Sequence, residues 1–315
     1  MAQRIKHRHL GADVDSRFIQ IHEHESGSTE KIENTASGIT RWLRSQAAPA
    51  RLAAESTGSY HMELVDQAHA AGMTVYVLNP RHVKSYREGV GQRAKTDPCD
   101  ARLIARYLQR ERDQLRPYRP QSKAQRKAWQ LLKRRVTLVR AKDQIQQSFR
   151  ELSGLDGCLD TVLKDLNRLI ALLEKRLEAL LKQQGHWNKV LNCRSIPGVG
   201  RITSMSLVVA YLRGEFRSAD SFVAYLGLDV RVRESGRFSG RRKLTKQGDA
   251  ECRRILYNAA MTGRRYAFAD YYERLTARGL KPTQAFVAVA RKQVRIAFSL
   301  MQNGVDFDPD RLKAA

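Results

Sequence analysis

Short apolar runs separated by turn residues open the chain. His9 to Val14 and Phe18 to His22 have the length and pattern of strands, and a Glu25-Ser26-Gly27-Ser28 turn leads to a third at Glu30 to Glu33. Connections this short favour antiparallel neighbours. The period then changes. Ile39, Trp42 and Leu43 share one side of a predicted helix from Ser37 to Ser45. Arg51 to Glu55 reads as a strand ending in Ser-Thr-Gly. Met62, Leu64, Val65 and Ala68 mark an amphipathic helix from Tyr60 to Ala71. Gly72 stops it, and Thr74 to Leu78 is a buried strand closed by Asn79-Pro80. A further helix runs from Asp97 to about Arg112.

That order predicts a mixed sheet with helices on its faces, as in an α/β ribonuclease-H-like domain over residues 1–120. Beyond Gln121 the pattern turns helical. Leu159, Val162, Leu166, Leu169, Leu173, Leu177 and Leu180 recur at threes and fours, with charged residues between them. Such spacing predicts a coiled-coil seam. A partner helix over 125–150 carries Leu131, Leu132, Val136, Leu138 and Val139, with residues 153–157 as the connection. Residues 121–192 thus read as a coiled-coil, oligomerisation arm, or equally as a helical hairpin packed in cis. The last part, 193–315, is mainly α-helical. Helices are expected at Ile202 to Leu212, Ser218 to Tyr225, Ala250 to Tyr266 and Thr283 to Met301, with a loosely ordered tail from Asp306.

Charge narrows the function. The 315 residues hold 57 Lys and Arg against 32 Asp and Glu, a formal charge of +25. Such an excess calls for a polyanionic partner. Nucleic acid is the first candidate, because neutralising phosphates releases counterions. No apolar run approaches the roughly 20 residues of a membrane-spanning helix, and the charged N-terminus has no apolar signal core behind it. A cytoplasmic protein with no membrane partner is expected. Cys99, Cys158, Cys193 and Cys252 are far apart and form no Cys-x-x-Cys pair, which argues against zinc and against a disulfide framework.

Against this basic background a few acids stand out. Asp97 and Asp100 lie three apart at a predicted helix start and share a face, within reach of one divalent cation. The same residues also read as a plain helix start, with Asp97 as N-cap, Pro98 at N1 and Asp100 at N3. The element order adds Asp13 in the first strand, expected mid-sheet, and Glu55 at the end of the fourth. A buried unpaired carboxylate is costly, so a ligand role suits Asp13. Asp15 is the alternative on the same face, but it sits by a turn.

Further along, Ser195-Ile196-Pro197-Gly198-Val199-Gly200 has the look of a helix–hairpin–helix turn, where Gly198 and Gly200 let backbone N–H groups approach phosphates. Its plain reading is a tight helix–helix connection. Arg231 to Lys246 is a glycine-punctuated basic ribbon. In it Arg231, Arg233, Arg237, Arg241, Arg242, Lys243 and Lys246 are candidate nucleic-acid contacts. The ribbon holds Ser235 and Ser239 but no obvious general base to activate either. Tyr257 is a competing nucleophile whose apolar neighbours mark it as core.

Several stretches, taken in order, carry a family resemblance. They are Gly11-Ala12-Asp13, Ala54-Glu55-Ser56-Thr57-Gly58, Asn79-Pro80, Lys95-Thr96-Asp97-x-x-Asp100-Ala101-Arg102 and Ile196-Pro197-Gly198-Val199-Gly200. Phe222-x-x-Tyr225-Leu226-Gly227-Leu228, Glu234-Ser235-Gly236, Lys246-x-Gly248 and Arg253-Arg254-x-Leu256 continue the series. Together they resemble the RNA-guided insertion-sequence recombinases of the one-ten family, over nearly the whole chain. The resemblance implies a RuvC-like fold for residues 1–120 and a transposase domain with a catalytic serine for 193–315. It implies that Asp13, Glu55, Asp97 and Asp100 hold Mg²⁺, with Mn²⁺ as the alternative, since both accept oxygen ligands. It implies that Ser235 forms a covalent phosphoserine with DNA.

A noncoding guide RNA would pair with donor and target DNA. A homodimer would assemble to a homotetramer that joins acids and serine between protomers. The implied setting is a bacterial or archaeal cell, with the protein on the nucleoid when it acts. The loop after Ser235 is shorter than the family pattern and lacks a second serine beside Gly236, which makes Ser239 the fallback nucleophile. Two other classes compete. One is a metal-dependent Holliday-junction-type endonuclease with the same acids and no covalent step. The other is a non-enzymatic nucleic-acid-binding module.

Overall fold

The computed structural model describes residues 8–46, 50–56, 58–92, 96–152, 154–231, 234–235, 238–239 and 243–313. The chain divides into two compact units, Met1–Pro120 and Gln121–Ala315.

In the first unit β1 (Arg8–Val14), β2 (Phe18–Glu23) and β3 (Thr29–Glu33) form an antiparallel meander. Then come α1 (Ala36–Arg44), β4 (Ala50–Glu55), α2 (Met62–Ala70), β5 (Thr74–Leu78), α3 (Pro80–Gly89) and α4 (Asp97–Glu111). The sheet order is β3-β2-β1-β4-β5, with β4 parallel to both β1 and β5, so β1 lies at the centre. Alternation along the strands sorts two cores. Leu10, Ala12 and Val14 pack with Ile39 and Trp42 of α1 and Leu64 and Val65 of α2. On the opposite face Ala53, Tyr76 and Leu78 pack with Val83 of α3 and Leu103, Ile104 and Leu108 of α4.

Gly11 faces that second layer, and α4 lies directly on it. A Cβ at Gly11 would come within 2.2 Å of the Ala105 nitrogen and 2.3 Å of the Ala101 oxygen. Only glycine permits this approach. The apolar period does not foresee α3, because Val83 is its one buried residue. Its start is nonetheless written in the chain. Asn79 caps it by accepting from the Arg81 N–H at 2.9 Å, and Pro80 occupies N1.

The second unit is helical. α5 (Lys123–Ser148) and α6 (Asp156–Gln183) form a hairpin, antiparallel because Arg135 meets Glu174 while Lys142 meets Asn167. The buried seam of α6 keeps Leu177 of the expected one, with Leu173 and Leu180 packed partly buried, but departs from it elsewhere. Ile170, Leu177 and Leu181 are buried, whereas Val162 and Leu169 are 47% and 44% exposed. α6 carries two apolar stripes about a quarter-turn apart, and α5 covers only one. At its base the hairpin shares a core with the helices that follow, through Leu131, Leu132, Leu177 and Leu181.

Beyond it lie α7 (Trp187–Arg194), α8 (Arg201–Tyr211) and α9 (Ala219–Tyr225). A small ribbon follows, with β6 (Val230–Arg231) paired to β9 (Lys243–Leu244) and β7 (Glu234–Ser235) to β8 (Phe238–Ser239). α10 (Ala250–Gly263), α11 (Ala269–Ala277), α12 (Pro282–Asn303) and α13 (Pro309–Lys313) complete the unit. The helix expected to reach Tyr266 stops at Gly263, where the chain turns into α11. The tail is docked rather than loose: Asp306 accepts from the Asn192 side chain at 2.9 Å, and the Phe307 N–H donates to Ser195 Oγ at 2.8 Å.

All four cysteines are free thiols, and burial pushes Cys193 and Cys252 up to about 12. Among the described residues no helix is long and apolar enough to cross a membrane.

Candidate active site

The first unit gathers the acids around the C-terminal end of β1. Asp13 lies two residues beyond Gly11, on the same face. The parallel register pairs Ala12 with Ala54, which brings the next residues, Asp13 and Glu55, to neighbouring positions on adjacent strands. α4 crosses above Gly11 at Ala101 and Ala105, so its first turn, with Asp97 and Asp100, projects toward the same end. The helix starts one residue earlier than a cap at Asp97 requires. Thr96 is the N-cap, with extended backbone, and the Asp100 N–H donates to the Thr96 carbonyl at 2.9 Å. Asp97 is therefore N1, and neither acid is engaged in the capping box that their spacing suggests. Asp15 is exposed in the β1–β2 turn, its N–H on the Phe18 carbonyl.

Electrostatics mark Asp13. Burial, followed by repulsion from Asp100, Asp97 and Glu55, pushes its carboxyl up to about 6, and Arg87 of α3 only partly offsets this. Arg87 is the countercharge for Asp100, with Nη2 2.7 Å from Oδ1 and both side chains mostly buried. The pairing is a charge contact without hydrogen-bond alignment: Arg87 Nε and Asp100 Oδ1 have no hydrogen-bond partner among the described residues. Carboxylate oxygens are the donor type that hard divalent cations take. The geometry is open, because among the described residues no three His, Cys, Asp or Glu side chains converge closely enough to hold an ion.

The second unit holds the turn and the ribbon. Gly198, at φ +88°, packs against α10; a Cβ there would meet the Ala259 oxygen at 2.2 Å and the Gly263 nitrogen at 2.5 Å. Buried Gln293 of α12 ties the turn down by donating to the Pro197 carbonyl at 3.0 Å. Gly198 therefore serves helix packing, while Gly200 is the exposed N-cap of α8. The ribbon's base is stapled. Arg253 donates to the Gly248 carbonyl at 2.7 Å and to the Leu226 carbonyl at 3.4 Å, across both ends of the loop. Thr245 bonds Asp229 through side chain and backbone. Arg231, Lys243 and Lys246 are exposed. Arg233, Arg237, Arg241 and Arg242 lie outside the described residues, as do the side chains of Ser235 and Ser239. Tyr257 is half-buried and stacks edge-on to Phe286 at 5.6 Å, as a core tyrosine does.

Two family models match in sequence order. Residues 16–154 match one described as a transposase, DEDD_Tnp_IS110, and residues 192–273 match Transposase IS116/IS110/IS902 family. The chain belongs to the IS110 transposase family. It is 27% identical to the pilin gene-inverting protein of Moraxella bovis, over 95% of this chain and 97% of that one. It is 25% identical to a probable family 20 transposase of Pseudomonas aeruginosa, over 95% of this chain and 98% of that one. With the IS900 uncharacterized 42 kDa protein of Mycobacterium paratuberculosis it shares 29% identity over 50% of this chain and 38% of that one. As a transposase of this family it is a DNA-cutting, recombining enzyme of an insertion element.

Sequence reading of this transposase missed Arg87 and the purpose of Gly11. Arg87 sits on a helix with little apolar signal, which only the Asn79-Pro80 start announces. Gly11 lies in a run that reads as strand either way. Arg253 was visible only as part of an Arg-Arg pair, and its bonds to two carbonyls distant in sequence have no local signal.

Proposed function

We propose that this transposase is an RNA-guided recombinase that cuts and rejoins DNA through a phosphoserine on Ser235. Asp13, Glu55, Asp97 and Asp100 would hold Mg²⁺ (or Mn²⁺). The observation that carries this reading is Asp13, a half-buried carboxyl crowded by the other three acids and facing, among the described residues, a single arginine. The sheet order, with β1 central and two strands parallel to one another beyond it, supports a RuvC-like fold for residues 1–120. The hairpin supports a coiled-coil arm over 121–192, and the second family match supports a transposase domain over 193–315.

Bound at the acids, a divalent cation neutralises phosphoryl charge and favours the alkoxide form of a nucleophile. The chain's own residues do the rest. Ser235 Oγ gives up its proton to solvent and attacks phosphorus, forming one P–O bond while the bond to a deoxyribose oxygen breaks and that oxygen takes up a proton in turn. Attack by the hydroxyl of another strand reverses the step and frees the serine, so the phosphodiester energy is kept and no ATP is needed. Arg231, Lys243 and Lys246 contact phosphates, and Ser239 is the fallback nucleophile. Guide RNA supplies sequence choice by base pairing to donor and target DNA. A homodimer assembling to a tetramer is the working form.

The test is covalent trapping. Protein with its co-purifying RNA and Mg²⁺ is mixed with labelled DNA carrying the element's junction, and adducts are mapped by denaturing gel and peptide mass spectrometry. An adduct on Ser235 that is absent in Ser235→Ala and in Asp97→Ala is the expected result. Cleavage without an adduct would replace this reading by a junction nuclease.

A further inference from the structure

The turn between α10 and α11 holds a side chain that folding does not explain. Tyr266 is 63% exposed, yet its backbone is rigidly placed. Its N–H donates to the Gly263 carbonyl at 3.0 Å, and its own carbonyl accepts from Ala269 at 3.1 Å. Two residues on, Phe268 is fully buried and stacks near Phe307. A large aromatic ring held out from a hydrogen-bonded turn is available for stacking, and what gives it meaning is the cavity beside it.

Tyr266 stands at the lip of a cavity of about 320 Å³ between α11, α12 and α13. That volume lies in the range of about 300–1,000 Å³ usual for small-ligand sites. The walls combine Tyr271, Leu275 and Leu312, all partly buried, with Arg274, Arg278 and Lys292 at the rim. Asp270 is the one acid in the lining, so cations outnumber it three to one. Among the described residues none of the three cations forms an ion pair with a carboxylate. A hollow lined by aromatic and aliphatic side chains beside a cationic rim is complementary to a flat ring that carries a phosphate. Aromatic stacking is the usual way proteins hold an unpaired base, and arginine serves its phosphate.

We propose that this cavity takes up an unpaired nucleotide extruded from a nucleic-acid strand, with the base against Tyr266 and Tyr271 and its phosphate at Arg274, Arg278 and Lys292. The proposal rests on the reading of the chain as a nucleic-acid enzyme, but uses neither Ser235 nor the four acids.

The experiment is fluorescence anisotropy with the full chain at fixed salt. The probes are labelled hairpins, fully paired or with a single-nucleotide bulge, made in both RNA and DNA. The wild type is expected to prefer a bulged hairpin over its paired twin by about five- to a hundredfold, the worth of one stacked base. Preference in the RNA pair alone identifies the guide as the source of the nucleotide, and in the DNA pair alone the element. Tyr266→Ala abolishes the preference and leaves paired binding within about twofold, and Tyr266→Phe retains it. Because Tyr266 is so exposed, both variants should melt with the wild type. Arg274→Ala with Arg278→Ala lowers the salt slope for bulged hairpins by up to about 2. Equal affinity for bulged and paired hairpins, or a preference that survives in Tyr266→Ala, overturns the proposal. That outcome leaves the Ser235 adduct test unaffected, so the two readings fail separately.

Discussion

Asp13 in the first unit and Asp249 in the second are both half-buried carboxylates near the start or end of a regular element, and their surroundings are opposite. Burial pushes Asp249 up, but the Lys133 ammonium and the N–H groups of Cys252 and Glu251 outweigh it and hold the carboxyl below its usual range. Its neighbour Glu251 is likewise buried and neutralised, by Arg254 at 2.5 Å and Arg140 at 3.9 Å. Around Asp13 the described residues supply three more acids and one arginine. A protein rich in Lys and Arg had cations to spare for both places. Where it supplies them, the acid is a helix cap and a strut. At Asp13 the described residues place one arginine against four mutually repelling acids.

This contrast yields a graded set of tests. The largest effect is on activity: Asp13→Asn should lower DNA strand cleavage by at least about a hundredfold. It should also raise the melting temperature of metal-free protein, because it removes a repelled carboxylate. A variant that melts lower would mean Asp13 is structural, like Asp249. Next is Gly11→Ala. Its methyl would collide with the α4 backbone, and we expect a loss of about 3 kcal/mol or more in urea unfolding of the first unit. A neutral result would show that α4 can move off β1.

Asp249→Ala should cost about 1–2 kcal/mol through the lost α10 cap. Its carboxyl lies lower in the folded than in the unfolded state, so its stabilisation is present above about pH 4. That stabilisation is lost as pH falls through the depressed value. The gap in guanidinium midpoint between wild type and variant should therefore be wide at pH 7 and shrink toward pH 2. The smallest effect belongs to Arg87→Gln. With the Arg87 countercharge gone, added Mg²⁺ should raise the melting temperature more than it does in wild type, by about 2–4 °C for each additional kcal/mol. Equal shifts would show that Arg87 does not stand in for a cation.

How legible these sites were follows from the range of the signals. Asp97 and Asp100 announce themselves, since three residues of spacing at a helix start is a local pattern. Glu55 and Asp13 needed the element order as well, and the order was readable because most strands and helices of the first unit, α3 excepted, carry their own apolar period. The cap reading of Asp97 failed by one residue, because Thr96 and Asp97 are both acceptable caps and only the backbone dihedrals decide. On α6 Val162, Leu169 and Leu173 fit one heptad seam as well as Ile170, Leu177 and Leu181 fit another. Which stripe is buried depends on where α5 lies, and no local rule contains that.

The chain by itself determined the strands, most of the helices and the polyanionic class of partner, because these depend on periodicity and composition over a few residues. The tertiary structure alone decided that Gly11 admits α4 onto β1, that Arg87 reaches Asp100, that Gly198 packs on α10 and that Arg253 clamps the ribbon's base. Each of these is a contact between segments distant in sequence, where the deciding quantity is a distance of a few ångströms that no residue encodes alone.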